Sequence, residues 1–182
     1  MEKSVEREAG AGCGIPVVCG RTVPAWLVAL DNVPTAVLFV LGAAVLAPLG
    51  WMFAALFLAY CALAIVLFWG RICPSCHHFG TRACPCGYGV IAPRFFRRRT
   101  GRDFKQVFRR NIALMFPCWF VPAGVGAWLL YARFSTRSLV LLSAFCLVGF
   151  VAIPLIAKLV GCRNCDLKND CPWMAGRQRS SV

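Results

Sequence analysis

Apolar residues in this chain gather into four long blocks, separated by two short joints and one long polar stretch. The first block begins at either Ala25 or Val33 and ends at Pro48. Asp31 and Asn32 precede Pro34, so either this helix starts late or its first turns carry polar groups at an interface. Pro48, Leu49 and Gly50 make a turn, and the second block runs from Trp51 to Trp69. Asn111 to Tyr131 and Ser138 to Val160 are the third and fourth. Each block is close to the roughly 20 residues that a helix needs to cross a hydrocarbon layer of about 30 Å. Trp51 and Trp69 mark the ends of the first hairpin, because indole rings settle at membrane interfaces.

The pattern predicts an all-α integral membrane protein: a four-helix transmembrane bundle with a cysteine-rich cytoplasmic loop and C-terminal tail. Its expected parts are a flexible cytoplasmic N-terminus (1–24), a helical hairpin (25–69), a Cys/Arg-rich loop (70–110), a second pair of helices (111–160) and the tail (161–182). Composition agrees, since 59% of residues are apolar and 15% are charged, where a soluble domain carries about 25% charged residues.

Charge adds a direction. The loop holds ten Arg or Lys residues against the single acid Asp103, whereas Arg133 and Arg137 are the only basic residues between spans three and four. Basic loops stay on the cytoplasmic side, so both termini and the loop are expected to face the cytoplasm, in a prokaryotic inner membrane. Phe104, Val107 and Phe108 follow helical spacing, and Ile112 and Met115 continue the stripe. That segment reads as a helix start along the headgroups, with its arginines among anionic lipids of the bilayer. The charge calls for no nucleic acid, because the stacking aromatics of a binding module are missing.

Twelve cysteines change the picture more than charge does. Nine lie outside the spans, on the face where reducing thiol pools disfavour disulfides, and metal ligation is the reading that remains. Cys73 and Cys76 have the spacing by which two sulfurs reach one ion from a single turn, and Cys162 and Cys165 repeat it. Cys84, Cys86 and Cys171 complete a candidate set of seven ligands. Both pairs begin beside the end of a span, so neighbouring spans two and four would bring the two groups together. Zinc and an iron–sulfur cluster fit the donors equally. His77 and His78 read as polar loop residues rather than ligands, and Cys13 and Cys19 as weaker candidates. Cys61, Cys118 and Cys146, inside the spans, read as small packing residues.

These observations point to a redox accessory or a structural and interaction protein holding a metal centre at the membrane, working with a membrane redox partner. Two alternatives stay open. A soft-metal transporter would resemble the small mercury-uptake membrane proteins in architecture, although here Cys84-Pro85-Cys86 lies in the loop rather than in a span. A thiol–disulfide oxidoreductase would resemble the four-helix membrane thiol oxidases that pass electrons to quinone. The chain carries neither a phosphate-cradling glycine loop nor a nucleophile motif, so no catalytic residue is assigned.

Overall fold

The computed structural model describes residues 22–101 and 103–162. Four helical segments are long and apolar enough to cross a membrane: Ala25–Leu49, Trp51–Ser75, Phe104–Ala132 and Thr136–Leu159. Their α-helical parts are α1 (Ala25–Leu46), α2 (Trp51–Ile72), α4 (Phe104–Asn111) running through a tighter turn at Ile112–Met115 into α5 (Phe116–Ala132), and α6 (Thr136–Cys146). A single turn, α3 (Tyr88–Ile91), stands in the loop. No strand occurs among the described residues.

The start of the first helix, open in the sequence, is Ala25, directly after Pro24. Pro34 is carried inside it. Proline removes one backbone donor from the ladder, and the helix runs on through it. Asp31 and Asn32 are therefore helical, on the second turn. Gly50, at φ 129°, turns the chain between α1 and α2.

Helix α1 packs against α2, α5 and α6 and lies between the second and fourth spans. Spans two and four do not pack as neighbours, so the arrangement that would have brought their cysteine-bearing ends together is absent among the described residues. The interior is built from Leu38, Phe145, Cys61 and Cys118, all essentially inaccessible. Small residues let the helices close: a Cβ on Gly42 would stand 2.7 Å from the Phe57 ring, and one on Gly126 would stand 2.8 Å from Leu142. This is the packing expected where lipid supplies no hydrophobic drive between helices. The outer surface is correspondingly apolar, with Val40, Leu56, Phe120, Leu147 and Leu159 exposed.

The fourth span loosens into a wider π-type stretch at Leu147–Ala152, resumes as α7 (Ile153–Ile156), and widens again at Ala157–Cys162. Pro154 explains the first bulge. The Ile153 N–H bonds to the Val148 carbonyl, five residues back, and in that register the Gly149 carbonyl would next need the N–H that Pro154 lacks. The Trp119 indole N–H donates to it instead, at 3.2 Å from the neighbouring α5.

Candidate functional site

Helix α2 ends at Ile72, and Cys73–Ser75 form one tight turn beyond it. Pro74 sits at the start of that turn, where a missing N–H is harmless, and the Cys76 N–H closes back on the Cys73 carbonyl at 3.0 Å. The chain then folds on itself. Gly80 donates to the Gly89 carbonyl at 2.9 Å, and Thr81 donates to the His78 carbonyl through both its N–H and its hydroxyl, at 3.1 and 3.0 Å. Gly89 is packed so closely that a Cβ there would stand 2.4 Å from the His78 carbonyl oxygen and 2.8 Å from the Cys84 Cβ. Gly87 takes φ +76°, a left-handed conformation that favours glycine. The result is a knot of chain holding Cys73, Cys76, Cys84 and Cys86.

The knot is anchored to the first helix. The Asn32 amide donates to the Val28 carbonyl at 2.7 Å and to the Cys86 carbonyl at 3.1 Å, while the Tyr88 hydroxyl donates to the Asn32 side-chain oxygen. Val23 donates to the Arg82 carbonyl at 2.9 Å. The Tyr88 ring lies 4.8 Å from that of Trp69, and Arg99 donates to the Pro74 carbonyl at 2.9 Å. The polar pair in α1 is thus the loop's docking point. Sequence reasoning treated Asp31 and Asn32 as a boundary problem; the signal was an amide and a carboxylate one turn before a proline in an otherwise apolar run.

Within the knot the four sulfurs are unequal. The Cys86 thiol donates to Cys84, and against the opposing cost of burial the backbone N–H groups of Gly89, Cys86 and Tyr88 converge on the same sulfur. Together they push the Cys84 thiol down to about 6 from an ordinary 9.0. Of the pair, Cys84 is the sulfur that favours the thiolate. Cys86 is held well above the usual thiol range, because it donates to Cys84, is buried, and faces Asp31. Cys73 is buried at the helix end, close enough to Cys84 and Cys76 to interact electrostatically with both. His78 is 5% exposed, whereas His77 is exposed; the first is part of the knot's interior rather than a surface loop residue.

Of the seven candidate ligands, the structure gathers Cys73, Cys76, Cys84 and Cys86. Cys162 ends the π-type stretch Ala157–Cys162, and Cys165 and Cys171 lie outside the described residues, as do Cys13 and Cys19. Cys61, Cys73, Cys76, Cys84, Cys86, Cys118 and Cys146 are free thiols. Among the described residues, no three Cys, His, Asp or Glu side chains are placed to hold one metal ion. Cys73 interacts electrostatically with both Cys84 and Cys76, so the thiols of the loop sense one another without forming a ligand group.

A second thiol contact lies between two of the membrane-length helices: the Cys61 and Cys118 sulfurs are 3.6 Å apart, buried where α2 meets α5. Comparison of the chain with protein families, with curated proteins and with solved structures gives no match.

Proposed function

We propose that this membrane protein holds a thiol-ligated metal centre, an iron–sulfur cluster or zinc, on the cytoplasmic face, and serves as a redox accessory or an assembly scaffold. The observation that carries this reading is the Cys84 sulfur, bonded by Cys86 and three backbone N–H groups, with Cys73 near enough to interact with it electrostatically. A site that invests backbone donors in one sulfur favours the deprotonated state in which cysteine ligates metals. The two pairs are neighbours rather than a finished polyhedron, so an ion has to draw them together. Structural zinc binds with about 10–16 kcal/mol in small peptides, ample for that closure. Cys162, Cys165 and Cys171 of the tail are the further donors for a second site.

One observation favours a second reading. A low-lying Cys84 thiolate next to a protonated Cys86 is also the arrangement of a nucleophile with its resolving partner, which supports thiol–disulfide exchange with a membrane redox partner. Anaerobic purification with metal analysis and an absorption spectrum separates the two. Iron with sulfide and a broad band near about 400 nm, or stoichiometric colourless zinc, supports the metal centre. Metal-free protein that exchanges with a disulfide substrate through Cys84 overturns it.

The cytoplasmic placement rests on the basic loop. Phe134→Cys should label with an impermeant maleimide in intact cells and Arg97→Cys should not; the reverse result defeats the assignment.

A further inference from the structure

At the end of the bundle away from the cysteines, a cavity of about 730 Å³ opens between α1, α5 and α6. That volume is in the range of pockets that enclose a small ligand, roughly 300–1,000 Å³. Its floor is apolar, from Ala44, Leu129 and Leu141, and Arg133 and Arg137 stand on its lining with Trp128. These are the only charged residues between spans three and four, and both belong to this one cavity. No carboxylate lines it. The acids among the described residues, Asp31 and Asp103, belong to the opposite end, on the loop and its docking turn.

Two guanidiniums remain charged at any physiological pH, and here the protein supplies no described counterion. Basic residues on this side also run against the orientation set by the rest of the chain. A free anion would satisfy the arginines and leave the apolar floor uncovered, whereas an amphiphile would satisfy both.

We infer that this cavity binds a phospholipid of net negative charge from the far leaflet, its phosphate held by Arg133 and Arg137 and part of its hydrocarbon lying over Ala44 and Leu141. The inference rests on the four-span reading and is independent of the metal centre.

The test uses the full chain in vesicles containing a photoactivatable phosphatidylglycerol, with labelled peptides mapped by mass spectrometry. Label is expected on residues 44–49 and 128–141, falling at least fivefold in an Arg133→Gln/Arg137→Gln variant while label on the 94–110 loop stays. Removing these arginines reinforces the orientation rather than inverting it, and both are exposed, so the variant isolates binding. A phosphatidylcholine probe should label the cavity several-fold less. Equal labelling by the two probes, or no change in the variant, overturns the inference. Displacement by millimolar inorganic phosphate overturns the lipid assignment and makes the ligand a free anion.

Discussion

Among the described residues two pairs of cysteines interact, and they differ in everything except the thiols themselves. Cys84 and Cys86 meet in a loop where backbone N–H groups converge on one sulfur. Cys61 and Cys118 meet 3.6 Å apart inside a cluster with Phe39, Phe57 and Ala64. The first pair is built to separate charge, with one sulfur anionic and the other its donor. The second has hydrocarbon around it, where a charge is expensive, and it behaves as two small, polarisable packing residues. Contact between thiols therefore does not by itself make a site; the donors around it do.

The sharpest way to break this contrast is to remove the cradle without touching a sulfur. Gly89→Ala forces a methyl against the His78 carbonyl and the Cys84 side chain, an overpacking that typically costs about 1–3 kcal/mol. Bound metal should fall at least tenfold while helicity by circular dichroism stays the same; retention of metal would show that the N–H cradle is irrelevant. Next in size, Cys84→Ser should remove most of the metal, whereas Cys61→Ser and Cys118→Ser should change metal content by less than twofold. Equal losses at the two pairs would erase the distinction.

A subtler difference appears with pH. In metal-stripped protein, alkylation of Cys84 should be half-maximal near about 6 and level off above neutrality, because its thiol is pushed down to about 6. Ordinary thiols keep gaining rate to about pH 8.5 and beyond. At pH 7 the advantage in rate is only several-fold, since nucleophilicity falls with pKa. The sign for stability follows. A lowered thiol contributes stability that is fully present above the ordinary 9.0 and is lost as pH falls through about 6, so the loop should become more protease-sensitive on acidification across that window. Smallest of all, Asn32→Ala removes the bonds to Cys86 and Tyr88, at about 1–3 kcal/mol for the polar groups left behind. Amide exchange in residues 80–90 should quicken while exchange in α2 does not.

The four membrane-length helices were legible because a run of about 20 apolar residues permits little else, although the second runs on to Ser75 and the third starts back at Phe104, both beyond the apolar blocks. What spacing could not convey was helix order around the bundle. The sequence reading set spans two and four side by side, whereas α1 lies between them. Nor could it show that His78 is enclosed, since burial of a loop histidine depends on how Gly89 and Thr81 fold over it. The π-type stretch before Pro154 was likewise invisible, because it depends on Trp119 in another span reaching the Gly149 carbonyl.

The docking of the loop on Asn32 also fixes an order of events during biosynthesis. The first helix enters the bilayer with Asp31 and Asn32 on its second turn, and the Tyr88 hydroxyl that satisfies Asn32 lies 56 residues further along the chain. At translation rates of about 5–20 residues per second, this polar turn waits about 3–11 s for its partner. During that interval Asn32 has the Val28 carbonyl of its own helix, and interfacial water and headgroups serve the rest of the turn, which favours keeping the first two turns at the surface until the second span has been threaded.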